Sequence, residues 1–296
     1  MANRLVNKIF GRTSETAPEV KEALAELGRL GRERPQLSGP NALLADLLPL
    51  LFGKPAEEMP PVLSTAHAAT KLAGGIPLLR GETLAIASTT LLKRCQEICA
   101  IMERHQKTGT ARAVAETLRR GRLTADELAQ EILAGRTENI SGRADDLGLD
   151  AGAVLSVMRL AMYPFMVSWN RALAPLRVGA SWQHGYCPTC GSWPLLGEFR
   201  GLEQLRFLRC GLCAGEWEFP RLLCPFCGAR DHHELGYLHV EGEESKQRAA
   251  TCEVCHGYVK ILSTLAALSP PQLLVAELAT THLDLIASER GYTAQP

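Results

Sequence analysis

The chain has 296 residues, of which 46% are hydrophobic, and its 32 Lys and Arg residues balance its 32 Asp and Glu residues. This length exceeds that of a typical single domain, so we expect two or more folded units. The neutral net charge argues against a general nucleic-acid binder that depends on attraction to the phosphate backbone.

The N-terminal segment, residues 1–8, has basic residues but neither the apolar stretch nor the small-residue cleavage site of a secretory signal peptide. A second segment, Ala151 to Trp169, is almost continuously apolar and long enough to cross a bilayer. Arg159 lies near its centre, where a charge is costly in lipid, so the segment is predicted to be a buried core helix. We therefore expect a cytoplasmic protein without a membrane span.

Residues 1–180 are predicted to form an all-helical N-terminal domain. Leu and Ala dominate this region, apolar residues recur at helical spacing, and prolines separate the segments. The predicted helices are Pro18–Arg32, Asn41–Leu51, Glu82–Gln106, Thr110–Arg120, Thr124–Ala134 and Asp150–Leu173.

Only two of the ten cysteines, Cys95 and Cys99, lie in this helical domain. They are four residues apart, on the same predicted helix face as Leu84, Leu91 and Ile98. Their apolar neighbours favour a role as small core residues over a redox or metal-binding role.

The other eight cysteines occur in four pairs with identical Cys-x-x-Cys spacing. These pairs are Cys187 with Cys190, Cys210 with Cys213, Cys224 with Cys227, and Cys252 with Cys255. A gap of two residues lets both thiolates of one turn approach a single ion at roughly 2.3 Å. Four such pairs within a short segment strongly indicate metal binding.

The order of the pairs predicts which of them share an ion. A Cys-Pro-x-Cys-Gly turn, a segment rich in strand formers and a second Cys-x-x-Cys turn occur twice in succession. The first two pairs are thus expected to form one site and the last two pairs another. The predicted domains are the helical domain at residues 1–180, two metal modules at 181–221 and 222–265, and a C-terminal helical segment at 266–296.

Two other uses of paired cysteines are less consistent with the sequence. Four disulfides would require an oxidising compartment, and a dithiol oxidoreductase typically has one exposed Cys-x-x-Cys at a helix start. Spacing alone does not distinguish iron from zinc. Each module is too small for a large core, so its ion is expected to contribute directly to folding.

The net charge of such a site and the complete coordination of its ion predict its chemistry. An ion held by four thiolates has no open position for a substrate, so we expect no enzymatic activity. The thiolates also leave a negative net charge, which the nearby Arg209, Arg221 and Lys260 are expected to offset.

Several motifs resemble the FdhE family of formate dehydrogenase accessory proteins. They are Cys187 to Pro194, Leu208 to Cys213 with Glu216-Trp217, Cys224 to Gly228, Cys252 to Lys260, and the closing Leu283-Asp284-Leu285 with Glu289, Gly291 and Tyr292. The detailed resemblance covers roughly residues 180–293. One departure is Ala276-Glu277, which stands where the family has an acidic pair that opens the last helix.

The resemblance implies a helical domain followed by two rubredoxin-like modules that bind iron, with all eight paired cysteines as ligands. It also implies a cytoplasmic maturation factor that contacts the catalytic subunit of respiratory formate dehydrogenase before its twin-arginine export. Two alternatives stay open at this point. A zinc-ribbon protein could bind nucleic acid, although the neutral charge gives little support, and an iron protein could act as a small electron carrier.

Overall fold

The computed structural model describes residues 17–53, 58–83 and 86–294. The N-terminal segment tested against a signal peptide and Leu84 of the predicted cysteine-bearing face lie outside these residues. The described chain begins with eight α-helices. They are α1 (Pro18–Glu33), α2 (Ser38–Phe52), α3 (Thr65–Ala73), α4 (Ser88–Gln106), α5 (Thr110–Arg119), α6 (Ala125–Ala134), α7 (Thr137–Asp146) and α8 (Ala151–Leu173).

The predicted helical N-terminal region is confirmed, with three differences in detail. α2 begins before Pro40, because a proline in the first turn of a helix interrupts no internal hydrogen bond. α4 begins at Ser88 instead of Glu82, and Leu78 and Leu79 in the turn at residues 78–81 donate hydrogen bonds to the turn of the first cysteine pair. α3 and α7 were not predicted. α7 is short and polar, and it is stabilised by burial of Ile140 and Ala144.

The apolar helix α8 forms the centre of this helical region. Its side chains Val157, Met158, Ala161 and Met162 are fully buried. Trp169 is also fully buried, and its indole nitrogen donates a 2.8 Å hydrogen bond to the carbonyl of Glu58. Residues 151–177 are the one stretch among the described residues with the length and hydropathy of a membrane span, and just over half of its most apolar window is buried within the protein.

A six-stranded sheet follows the helices. Its strands are β1 (Pro194–Arg200), β2 (Leu205–Cys210), β3 (Glu216–Glu218), β4 (Leu235–Leu238), β5 (Gln247–Cys252) and β6 (Tyr258–Thr264). The strand order is β3-β2-β1-β6-β5-β4. All neighbouring pairs are antiparallel except β1 and β6, which are parallel and join the two halves of the sheet.

The sheet shows the internal repeat that the cysteine spacing indicates. In each half a Cys-x-x-Cys turn precedes two antiparallel strands, and a second such turn connects to a third strand. The third strand of the second half, β6, pairs with the first strand of the first half, β1. The two predicted modules therefore share one continuous sheet, and their exact boundaries stay a prediction.

Two helices end the described chain, α9 (Pro270–Ala279) and α10 (Thr281–Glu289), where the sequence predicted one helical segment. α9 returns to the N-terminal helices, and its Val275 is buried with Val20 and Leu48. The helical region and the sheet also share a core, because the cysteines of the first group belong to the same buried cluster as α8. The fold thus places the first cysteine group between helices and sheet.

Candidate metal centres

The first cysteine group consists of Cys187, Cys190, Cys210 and Cys213, all of which are at most 1% exposed. Cys187 and Cys190 lie in the turn before β1, and Cys210 and Cys213 lie in the turn after β2. The sulfur of Cys190 is 3.4 Å from that of Cys210 and 3.7 Å from that of Cys213, while the sulfurs of Cys187 and Cys213 are 3.5 Å apart.

The second cysteine group consists of Cys224, Cys227, Cys252 and Cys255. Its sulfurs are 3.7 Å apart between Cys224 and Cys255 and 3.6 Å apart between Cys227 and Cys252. Cys224 and Cys252 are buried, but Cys255 is half-buried and Cys227 is exposed. The two groups follow the pairing expected from the internal repeat.

The spacing of the sulfurs fits one tetrahedral ion per group. With metal–sulfur bonds of roughly 2.3 Å, the edges of an ideal tetrahedron are about 3.8 Å. The sulfur–sulfur distances of 3.4–3.7 Å are close to this value. A disulfide would require about 2.05 Å. The arrangement therefore suits a tetrathiolate site, and both iron and zinc accept this geometry.

Without an ion, the thiolate forms of Cys210 and Cys213 are unfavourable. Burial and the neighbouring thiols raise the pKa of Cys210 and of Cys213 well above the ordinary value. A bound cation would reverse this effect, because it favours the thiolate and releases the protons.

The cysteine turns also supply backbone hydrogen bonds to sulfur. In the first group the amides of Leu212 and Cys213 donate to the sulfur of Cys210 at 3.3 and 3.4 Å. In the second group the amide of Phe226 donates to Cys224 at 3.4 Å. Such donors orient a ligand and reduce the charge on its sulfur.

Tight turns of this kind require a left-handed residue directly after the second cysteine. Gly191 and Gly228 fill this position with φ of 83° and 76°. Ala214 and His256 fill it in the other two turns with φ of 54° and 52°, although neither is a glycine. The glycines that follow those two pairs, Gly215 and Gly257, come one position later, so the glycine pattern of the sequence does not identify these left-handed positions.

The helical region supports the first group directly. The amides of Leu78 and Leu79, between α3 and α4, donate to the carbonyls of Pro188 and Thr189 at 2.9 and 2.8 Å. The buried hydroxyl of Thr189 donates to the side-chain carbonyl of Asn170 on α8 at 2.8 Å. These contacts fix the turn that carries Cys187 and Cys190.

The second group is supported from the sheet side and by the end of the described chain. The Trp193 and Phe226 rings, from the two halves of the sheet, meet edge to face with centroids 5.5 Å apart. The amide of Thr293 donates to the carbonyl of His256 at 2.7 Å, and the carbonyl of Thr293 accepts from Tyr258 at 3.2 Å. The segment after α10 thus holds the turn that carries Cys252 and Cys255.

Two arginines that no sequence motif had assigned to the sites, one half-buried and one buried, lie close to the cysteines. Burial lowers the pKa of Arg159 on α8, and the nearby Cys210 and Cys190 oppose this change. Burial also lowers the pKa of Arg206 on β2 to about 10, and Tyr237 and Cys224 oppose that change. The Nε atom of Arg159 has no hydrogen-bond partner in the described residues of the chain.

The expected role of Arg209, Arg221 and Lys260 as counter-charges was wrong in two cases. Arg209 forms an ion pair with the fully buried Glu198. Lys260 forms ion pairs with Glu277 at 2.8 Å and with Asp284 at 2.7 Å. Carboxylates therefore already neutralise these two cations, whereas Arg221 stacks over the ring of Phe199 at 4.6 Å from its centroid.

Glu277, which stands at the departure from the family pattern, is half-buried and forms an ion pair with Lys260. Burial raises the pKa of its carboxyl group, and the ion pair with Lys260 opposes that effect.

The two cysteines of the helical region are core residues, as predicted. Cys95 and Cys99 are at most 2% exposed, and the sulfur of Cys95 lies 3.5 Å from that of Met158. Another group of three potential ligands, Asp231, His232 and His233, is fully exposed on the loop before β4.

Comparison with known proteins agrees with this architecture. The families described as "FdhE, central domain" and "FdhE, C-terminal domain" match residues 186–221 and 222–296. A Stutzerimonas stutzeri protein named "Protein FdhE homolog" is 42% identical over 113 residues, which cover 37% of this chain and 36% of that protein. A Pseudomonas aeruginosa protein with the same name is 36% identical over 148 residues, which cover 45% of this chain and 47% of that protein. The matched stretch therefore spans between about a third and a half of these relatives.

The similarity extends further in the fold than in the sequence. The crystal structure of the FdhE protein from Pseudomonas aeruginosa matches with a TM-score of 0.61 over 95% of both chains, at 23% sequence identity. This structural match includes the helical region, where the sequence has few distinctive motifs. Residues 186–296 of the chain therefore match the central and C-terminal domains of the FdhE family, and the fold of 95% of the chain is similar to that of an FdhE crystal structure.

Proposed function

We propose that the eight paired cysteines bind two metal ions, one in each group of four. The sulfur–sulfur distances, the left-handed turns and the backbone amides directed at sulfur support this assignment. Iron and zinc both fit the donor set, and a ferric tetrathiolate has one negative charge less than a ferrous or zinc one. The half-buried Arg159 and the buried Arg206 would be the counter-charges of the first and second ion, respectively.

In this proposal the ions shape the protein and do not participate in catalysis. Four thiolates complete a tetrahedral ion and leave no position for a substrate or an activated water. The first ion would hold the sheet to the helical region, because its ligands lie in their shared core. The chain is accordingly proposed to be a scaffold without enzymatic activity.

We further propose that the chain is an accessory protein for the maturation of respiratory formate dehydrogenase. It would bind the immature catalytic subunit in the cytoplasm. The observation that carries this proposal is the match of residues 186–296, with both cysteine groups, to the two FdhE domains. The fold similarity over 95% of the chain supports the same role for the helical region.

We propose that exposed apolar side chains near the second cysteine group form the docking site for this subunit. Leu222, directly before the third cysteine pair, is 64% exposed, and Val254, between Cys252 and Cys255, is 58% exposed. Tyr237 on the edge strand β4 is 40% exposed. Exposed apolar side chains close to one another commonly mark protein interfaces.

A copurification experiment tests both the accessory role and the docking surface. The affinity-tagged chain is expressed in a bacterium that makes respiratory formate dehydrogenase, and retained proteins are identified by mass spectrometry. We expect retention of the catalytic subunit, and a strong reduction for the Leu222→Asp/Val254→Asp double variant. Val62→Asp is the matched control, because Val62 is 98% exposed in the helical region. Failure of the unaltered chain to retain the catalytic subunit would refute the accessory role.

A further inference from the structure

The two cysteine groups differ sharply in their exposure to solvent. All four cysteines of the first group are at most 1% exposed. In the second group Cys227 is exposed and Cys255 is half-buried. An exposed ligand can leave its ion and be replaced by a donor from solution, whereas a buried ligand cannot be reached without opening the core.

The packing around the two groups also differs, and it is tighter around the first group. The first group belongs to the main core, and a side chain on Gly191 or Gly215 would collide with Arg80 or Asn170 of the helical region at 2.7 Å. At the corresponding Gly228 of the second group, an added side-chain carbon would meet no described atom within 4 Å. The turn of Cys224 and Cys227 is therefore open on one side.

A groove gives access to the second group from another direction. It has a volume of about 40 Å³, and its walls include Cys224 and Cys252 together with Arg221, Phe226 and Tyr237. The groove therefore borders the two buried cysteines of the second group. Two cysteines of the second group are thus at least partly exposed, and the other two line the groove.

We propose that the second cysteine group is an exchangeable metal centre and that the first is a permanent one. This inference depends on the metal-binding component of the proposed function. In the exchange step, donor atoms of an incoming chelator replace the thiolates one at a time, beginning at Cys227. The ion leaves as its chelate, and the released thiolates take up protons, so no oxidant or reductant is needed.

This asymmetry assigns different roles to the two ions. Loss of the second ion would leave the helical region and the first group folded, because contacts with the helical region hold the turn of Cys187 and Cys190. The metal content and the thiol state of the second group could then change while the rest of the protein persists. The second group is therefore the place where the chain responds to metal supply or to thiol-reactive compounds.

Chelation kinetics test this proposal on the full chain loaded with two zinc ions. Zinc release to 4-(2-pyridylazo)resorcinol is followed by absorbance, and aliquots taken during release are alkylated with iodoacetamide and mapped by mass spectrometry. We expect two phases of one zinc each, with rates that differ by about tenfold or more. Alkylation during the fast phase should occur at Cys224, Cys227, Cys252 and Cys255.

A variant gives an independent assignment of the phases. Cys227→Ser should lose the fast phase and retain one slowly released zinc. Release in a single phase, early alkylation of the first cysteine group, or a fast remaining zinc in Cys227→Ser would overturn the proposal. A chain that binds fewer than two zinc ions would instead refute the ligand assignment itself, and failed copurification would leave the asymmetry unaffected.

Discussion

The buried carboxylate Glu198 on β1 provides a strong test of how the first cysteine group is held. It is 0% exposed and forms ion pairs with Arg209 and, at 2.5 Å, with Arg200. Arg209 in turn donates to the carbonyls of Ala214, directly after Cys213, and of Leu268 before α9, at 3.3 and 2.8 Å. Glu198 therefore fixes the guanidinium that joins the second cysteine turn to the C-terminal helices.

The substitution Glu198→Gln keeps the size of the side chain and removes its charge. It leaves Arg209, whose side chain is 4% exposed, without its buried counter-ion. Removal of one partner of a buried ion pair costs about 3–5 kcal/mol. For 296 residues with an unfolding entropy of about 2.1 cal/mol/K per residue, this corresponds to a decrease of roughly 5–8 °C in the unfolding midpoint.

Differential scanning calorimetry of the metal-loaded protein measures this change. The control is Glu218→Gln, since Glu218 lies on the edge strand β3 and is exposed. The control should alter the stability by no more than about 0.5 kcal/mol. A midpoint for Glu198→Gln equal to that of the control would refute the reasoning, because Arg209 would then not need its carboxylate partner.

Two further predictions concern a close contact and the buried thiols. Gly185→Ala should destabilise the protein and loosen the second cysteine group, because an added Cβ would lie 1.8 Å from the backbone oxygen of Pro225. The control Gly142→Ala, in helix α7 with no neighbour within 4 Å, should be neutral or slightly stabilising in thermal unfolding. Burial raises the pKa of Cys95 to about 12 and of Cys99 to about 11. At pH 8 a fraction of about 0.001 or less of each thiol is thiolate. Native protein should therefore resist alkylation at both cysteines, whereas unfolded protein should be modified. Labelling of native protein at pH 8, detected by mass spectrometry, would contradict this prediction.

The sequence predicted the cysteine groups well because their chemistry is local. Each Cys-x-x-Cys turn is encoded within a few residues, and the repeated order of turns and strands sufficed to predict which pairs lie together. The long helix α8 was also predictable, since apolar spacing and a central Arg159 together indicated a buried helix.

Other features depend on contacts between distant residues and were not predictable in this way. Arg159 lies on a helix far in sequence from Cys210, and only the packing of α8 against the sheet brings them together. The parallel pairing of β1 with β6 likewise joins segments about sixty residues apart. Lys260 was assigned to a metal site because of its sequence proximity to Cys255, but the fold directs it to carboxylates on α9 and α10.

The most direct test of the central claim is metal analysis combined with X-ray absorption spectroscopy of the anaerobically purified chain. The account predicts two iron or zinc ions per chain, each with four sulfur neighbours at roughly 2.3 Å. One ion or none per chain, or a first shell with nitrogen or oxygen in place of sulfur, would contradict the assignment of the eight cysteines.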